Sequence, residues 1–476
     1  MKAKEKQTDL LLAAIREGQT LERNQKLRLI IGLSIPSILA QITNVMMFFI
    51  DQAMVGSLGA EAPASIGLVE STLWLFGGLA GAASMGFSVQ VAHFIGANDF
   101  VKARQVVRHA LLGCAVMSLM LCTIALLIAP YLPYWLGGGE DIAADASRYF
   151  TIFALAVPFM QFNNLAASML KCEGSMRVAS TMSVTLCVLD MLLNFFLIFP
   201  TRQVQLMGLT LTIPGAGLYV TGAAMGTALA YMIVMVVQSW MVFWRSPILS
   251  LRRAGEPFKY MGSYIWQAVK ISVPMGFQSM LMGGAQVVST MIVAPLGNIA
   301  IAANTFAITA ESLCYMPGYG IGEAATTLVG QSKGAGRLDL CRSFAWMTVG
   351  MGMAVMALMG AVMFVFAPEL MALMTPVAEI KALGAQVLRI EAFAEPMFAA
   401  SIVAYSVCVG AGDTLRPAVL NLASMWCVRL TLAFWLARDY GLQGVWTAMA
   451  IELTLRGLLF LVRIWRGHWM KKLSVS

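Results

Sequence analysis

A handful of ionisable residues sit inside long apolar runs, where charge is expensive. The acids are Asp51, Glu70, Asp190, Glu311, Glu323, Glu391, Glu395 and Glu452, and the bases are Arg429 and Arg456. A charged side chain in hydrocarbon costs at least ~2.5–3.5 kcal/mol on insertion scales, so each is a candidate for function. Asp51 and Asp190 come first. Asn194 follows Asp190 at i+4, on the same helix face. Two carboxyls in one apolar pocket repel each other and resist ionising together, which suits a group that takes up and releases a proton. The same pair, with amide and hydroxyl oxygens, can instead hold a sodium ion, or each acid can be a hydrogen-bonded structural group. Asn163 and Asn164 are placed to join that network. Glu391 and Glu395 stand four apart, with Arg429 in the next apolar run at a matching depth. They read either as a structural Glu–Arg pair or as a second site, for an ion or a cationic substrate. Glu323 and Glu452 lie near enough to run boundaries to pair locally.

The elements that must position these groups are membrane helices. Hydrophobic residues make up 59% of the 476-residue chain and charged residues 12%, a balance that a bilayer requires and a soluble core does not. Runs long enough to span fall at about 30–55, 66–92, 106–130, 147–170, 178–200 and 217–244. A second set falls at about 270–294, 302–330, 343–367, 384–409, 416–437 and 442–464. The sequence therefore predicts an all-α polytopic protein with twelve spans. Asp51 belongs to span 1, Asp190 and Asn194 to span 5, Glu391 and Glu395 to span 10. The run Met46, Met47, Phe48, Phe49 precedes Asp51. Met46, Met47 and Phe49 are expected to line a substrate pocket, because thioether and aromatic side chains adapt to many shapes.

The chain contains one stretch twice. Residues 34–104 advance by 238 positions onto 272–342 without a gap, so that Ser34 and Pro36 meet Ser272 and Pro274, and Gly96 and Arg104 meet Gly334 and Arg342. The same offset later takes Pro158 to Pro396 and Gly174 to Gly412. Six spans is an even number, so both copies enter the membrane the same way round, related by a pseudo-two-fold axis along the membrane normal. The expected divisions are a polar lead at 1–29, an N-lobe at 30–244, a linker at 245–269, a C-lobe at 270–466 and a tail at 467–476. Under the offset, Asp51 and Asp190 fall on Ser289 and Val428, so the acids belong to one copy only.

Lys and Arg crowd the lead, the linker, the tail and the loops after spans 2, 4 and 8, which predicts that both termini are cytoplasmic. The net charge of +8 is explained by those loops rather than by nucleic acid. The lead carries a short apolar run at 10–15 and is expected to be an amphipathic segment on the membrane surface, with no cleavable signal. Pro36 and Pro274 are expected to open spans 1 and 7, and Pro36, Pro158 and Pro317 are the candidate hinges. The connection 200–217 is longer than its counterpart near 438–442 and is expected to form a lid or a hairpin. The eight Cys form no Cys-x-x-Cys pair, and neither a disulfide framework nor a metal site is expected. There is no nucleophile–base pair or phosphate loop, so the chain does not read as an enzyme, and no cofactor is expected.

The motifs resemble those of a known family. Ile50-Asp51-Gln52-Ala53-Met54-Val55-Gly56 with Leu58-Gly59 is similar to the span 1 signature of the multidrug and toxic compound extrusion (MATE) transporters. Gly96-Ala97-Asn98-Asp99 after span 2, its echo Gly334-Ala335-Gly336, and Gly410-Ala411-Gly412-Asp413-Thr414 with Pro417 are similar too, and the resemblance covers about 30–466. It implies an exporter of organic, often cationic, compounds in exchange for protons or sodium, with two lobes around a central cavity. The family's span 1 acid carries over to Asp51. Its span 5 pattern, Asn-x-x-x-Asp, is reversed here as Asp190-x-x-x-Asn194. The sodium-type branch has acids in spans 7 and 10. Span 7 (271–293) has none here, and the span 10 position is Phe398, with Glu395 one turn away.

The reading is a proton-coupled antiporter in the plasma (inner) membrane, acting as a monomer among membrane lipids. Its cargo would be small organic cations or other amphipathic compounds. Sodium coupling and a flippase for a lipid-linked precursor are the alternatives, and a membrane receptor or scaffold is the rival from another class.

Overall fold

The structure is a computed structural model, and it describes residues 2–59, 61–206, 209–253 and 257–470. Six long apolar helices form the first lobe. They are α2 (Arg23–Gly56), α3 (Glu61–Gly96), α4 (Phe100–Ile128), α6 (Glu140–Glu173), α7 (Met176–Ile198) and α8 (Tyr219–Trp240). A short α1 (Lys2–Arg16) precedes them and α5 (Leu132–Trp135) links α4 to α6. The second lobe holds α9 (Gly262–Val293), α10 (Asn298–Gly334), α11 (Leu338–Val365), α12 (Ala367–Met374), α13 (Ala378–Ala392), α14 (Glu395–Gly410), α15 (Leu415–Ala423) and α16 (Leu430–Arg466). Helices α13 and α14 meet at 58° and together make one broken span. The run 415–466 makes two, because Gly441 breaks it with φ 59° and ψ −137°, a backbone shape open to glycine. Twelve spans in two six-helix lobes result.

Sequence periodicity explains which way each helix faces. On α4, Val106, Ala110, Cys114, Ser118, Leu121 and Ala125 are buried, while Leu112, Val116, Met120, Ile124 and Leu127 are exposed. Both stripes repeat every three or four residues and are apolar but for Ser118. The outer stripe suits lipid, and the inner one is rich in small residues that let helices approach.

The connection 200–217 is the hairpin form of the expectation. Strand β1 (Pro200–Leu206) pairs antiparallel with β2 (Leu209–Ala216), with an irregularity between Pro200 and Arg202. It caps the end of the bundle opposite the chain termini.

At the termini end the lobes are clasped, and the clasp repeats the 238-residue offset. His93 on α3 donates from Nε2 to the Gly410 carbonyl at 2.8 Å, and Gln331 on α10 donates to the Cys172 carbonyl at 2.7 Å. Positions 93 and 172 advance by the offset to 331 and 410. Between them the backbones touch: a Cβ on Gly96 would collide with the Gln331 backbone, and one on Gly334 with the His93 backbone. A further link has no counterpart. Glu323 on α10 accepts from Lys171 Nζ at 2.5 Å, from Gln41 Nε2 at 3.0 Å and from the Ser37 hydroxyl.

Two expectations are corrected. Pro36 and Pro274 do not open their helices but lie well inside α2 and α9, as Pro158 and Pro317 do in α6 and α10. Polar residues such as Arg23 and Lys26 extend the helix beyond its apolar part. The proline that does break a span is Pro396, in the first turn of α14. The lead does not lie apart on a membrane surface. Leu12 and Ile15 of α1 are buried in a core cluster with Leu29, Leu33 and Met176, and with Leu328 and Phe344 of the other lobe. Asn98 donates to the Arg16 carbonyl at 3.1 Å, and Arg337 to the Gln19 carbonyl at 3.2 Å, so α1 and its loop are tied to both lobes. Part of the expected tail, 471–476, lies outside the described residues.

Candidate functional site

Asp51 lies five residues before the end of α2, about 8 Å along the axis from its hairpin-side terminus. Asp190 and Asn194 are buried on one face of α7. The two helices pack together, and the Asn194 amide joins the acids: its Nδ2 donates to Asp51 Oδ1 at 2.9 Å and to Asp190 Oδ2 at 3.2 Å. One donor within reach of two carboxyls makes those carboxyls near neighbours. Asp190 Oδ1 and Asn194 Oδ1 are buried and lack hydrogen-bond partners. The approach depends on Gly226 of α8, where a Cβ would run into the Asn194 carboxamide.

Asp51 faces a cavity of about 690 Å³ in the hairpin-side half of the N-lobe. Met47, Phe48, Glu70, Trp74, Tyr149 and Thr227 are among its walls. It adjoins a second cavity of about 410 Å³ between the lobes, with Gly78, Asn164 and Ser279 in both walls and with Lys171 and Glu323 in the second. Asn164 thus faces the cavities, whereas Asn163 is buried outside their linings, as adjacent residues on a helix must point apart. Met47 lines the N-lobe cavity. Met46 is half exposed, and neither it nor Phe49 is in the wall, a correction that follows from helical period, since positions 47, 48, 51, 52 and 55 share the cavity face. Phe48, Glu70, Trp74, Tyr149, Thr227 and Tyr231 are wall residues that the sequence did not single out for this site. Hydroxyl and aromatic residues are common on any membrane helix, and only Glu70 carried a signal, as an acid in an apolar run.

The C-lobe acids are arranged otherwise. Glu391 and Glu395 are fully buried and all four carboxyl oxygens lack partners. They flank the break between α13 and α14, so they do not share the face of one continuous helix. Arg429 does not pair with either. Its Nε and Nη2 donate to Glu452 at 3.0 and 2.9 Å, and Arg456 binds the same carboxylate at 2.9 and 3.0 Å. The Ser424 hydroxyl donates to it as well. Glu311, Arg429 and Arg456 line a small cavity of about 240 Å³, and Glu391 and Glu395 lie outside that lining.

Comparison with known proteins matches the same two halves. The MatE family model covers residues 36–196 and 274–435, well over half the chain, in two blocks that begin one offset apart. A probable multidrug resistance protein NorM of Thermotoga maritima is 22% identical over 445 residues, 93% of either chain. Another NorM, of Pseudomonas syringae pv. tomato, is 26% identical over 90% of this chain and 92% of its own. Among solved structures, an outward-facing multidrug resistance MATE family transporter of the MOP superfamily superposes with a TM-score of 0.85 at 21% identity, covering 93% of this chain and 96% of its own.

Proposed function

The chain belongs to the multidrug and toxic compound extrusion (MatE) family, and on that premise we propose that it is a proton-coupled antiporter that exports organic cations. It is an integral membrane transporter of the multidrug efflux kind. The finer reading rests on one observation: the Asn194 amide holds Asp51 and Asp190 together at the wall of the N-lobe cavity. Two adjoining carboxyls in an apolar setting exchange protons more readily than they bear two charges. A proton on the site removes the repulsion and changes the hydrogen bonds that tie α2 to α7. The ion drives transport only through its different affinity for the two states.

Basic loops support placing the termini in the cytoplasm of an inner-membrane protein. With that orientation the clasp shuts the cytoplasmic side and the N-lobe cavity lies in the outer half, a state poised to release cargo. The cavity wall includes Asp51 and Glu70 and, among the described residues, no Lys or Arg. This favours cationic cargo over an anionic lipid-linked precursor. Action as a monomer belongs to the same reading.

A second reading draws on the C-lobe, where Glu391 and Glu395 lack partners. There a sodium ion or a proton would be bound by those acids, and a cationic substrate by the cavity beside Glu311 and Arg429. The test is ethidium efflux from everted vesicles under a pH gradient alone and then a sodium gradient alone. The expected result is efflux under the pH gradient, lost in Asp51→Asn and Asp190→Asn. Efflux under sodium alone, lost in Glu395→Gln, would select the second reading. Efflux indifferent to all three substitutions would sink both.

A further inference from the structure

The two adjoining cavities have three acids in their walls, Asp51, Glu70 and Glu323. Two of them are engaged. Asp51 is held by Asn194 beside Asp190, and Glu323 is neutralised by Lys171 and held by Gln41 and Ser37. Glu70 is different. It is half-buried on α3, and its partner among the described residues is the Trp74 indole N–H, at a long 3.4 Å. No cation is paired with it in the described ion pairs.

Its surroundings are aromatic. Trp74 lies one turn along the same helix, and its ring stands 6.0 Å from that of Phe48 on α2. Tyr149, Phe153 and Tyr231 complete that part of the wall. A carboxylate beside aromatic faces at the edge of a low-dielectric cavity attracts a weakly hydrated organic cation: the carboxylate supplies the charge and the ring quadrupoles supply the rest. Gly77 and Gly78, two turns further along α3, continue the wall without side chains.

We propose that Glu70 is the cargo-selecting carboxylate, which receives the positive group of the substrate against Trp74 and Phe48 while Asp51, Asp190 and Asn194 carry the coupling ion. This rests on the reading of the protein as a cation exporter and assigns its charge selection to one residue. The division of labour has a physical reason. A carboxylate that must release its proton to bind cargo links the two events stoichiometrically, whereas separate acids let many cargoes use one ion site.

The test uses the full-length protein in detergent and labelled tetraphenylphosphonium, a permanent cation that carries no proton of its own. Equilibrium binding is compared for the wild type, Glu70→Gln and Glu70→Asp, with thermal melting as a check on folding. The expected result is affinity at least about tenfold weaker in Glu70→Gln and within about threefold of the wild type in Glu70→Asp. Equal affinity in Glu70→Gln and the wild type overturns the assignment and leaves cation export standing. Equal losses in Glu70→Gln and Glu70→Asp, with melting unchanged, assign the effect to shape rather than charge and also overturn it. A wild type that binds no cation removes the cation-export reading, and this inference falls with it.

Discussion

The two lobes share a scaffold and differ in where they keep charge. In the N-lobe, Asp51 and Asp190 share one neutral amide beside a cavity of about 690 Å³, and no guanidinium or ammonium is bonded to them among the described residues. In the C-lobe, Glu452 is fully buried but held by Arg429, Arg456 and the Ser424 hydroxyl, beside a cavity of about 240 Å³. The clasp at the termini end repeats across the lobes, with His93 answering Gln331 and Gly410 answering Cys172. Packing that joins the copies has stayed two-fold, while the buried acids have gone separate ways. A carboxylate with two cations is locked in one state. A pair of carboxyls with one amide has an unfinished hydrogen-bond network, which a proton can complete.

That contrast makes position-matched substitutions informative. The largest effect is expected at Gly226, where a Cβ would displace the Asn194 carboxamide. Gly226→Val should reduce gradient-driven efflux by about 100-fold or more, measured with ethidium in everted vesicles. The hairpin changes the offset beyond it: Gly222 answers Gly444, each facing the backbone at the end of the preceding span, so the matched residue is Ala448, buried in the C-lobe core. Ala448→Gly should leave efflux within about twofold and cost about 1 kcal/mol of stability. Equal efflux losses at the two positions would show that the N-lobe site has no special role. Next comes Arg429→Met, which removes one of two cations from a buried carboxylate. We expect about 3 kcal/mol of destabilisation, read as a fall of several degrees in thermal melting. Asp51→Asn should leave melting unchanged or raise it, because it relieves repulsion. A matching fall in both variants would erase the distinction between locked and poised acids.

How much of this was legible depended on the kind of signal. Apolar run length gave the spans, and the register of Pro36 with Pro274 and of Gly96 with Gly334 gave the duplication. Asp51, Asp190 and Asn194 were legible because acids stand out in such runs and i+4 spacing fixes a face. The azimuth of one helix against another is not written in spacing. Arg429 and Glu391 share a depth, yet the guanidinium turns to Glu452 on the last span. Nor does register predict a break. Pro158 and Pro396 are matched, but α6 runs through Pro158, while span 10 bends by 58° at the start of α14. Where a proline ring removes a donor, neighbouring packing decides whether the helix continues. Gly226 was invisible for a plainer cause: there are 42 glycines, and only the packing shows which one admits a side chain.

The clasp offers a symmetrical test. His93→Ala and Gln331→Ala each leave a buried backbone carbonyl without its donor, which costs about 1–2 kcal/mol. Both should widen the distance between spin labels at positions 101 and 339, exposed sites related by the offset, and by similar amounts. A response to one variant alone would mean that the closure, too, has become one-sided.

The smallest effect should come from the contact that has no counterpart, Lys171 with Glu323. Under the offset these positions fall on Val409 and Met85, so the pair was added to one side of a two-fold joint. Its side chains keep 27% and 21% of their exposure, and a pair so placed contributes up to about 1 kcal/mol. Lys171→Met should therefore shift the same label distance less than either clasp variant does. Glu323→Gln should shift it more than Lys171→Met, because Gln41 and Ser37 also donate to that carboxylate. The double variant should match Glu323→Gln alone, since Lys171 acts on the joint through Glu323. Additive shifts instead would mean that the Lys171 side chain secures the lobes by a route other than Glu323.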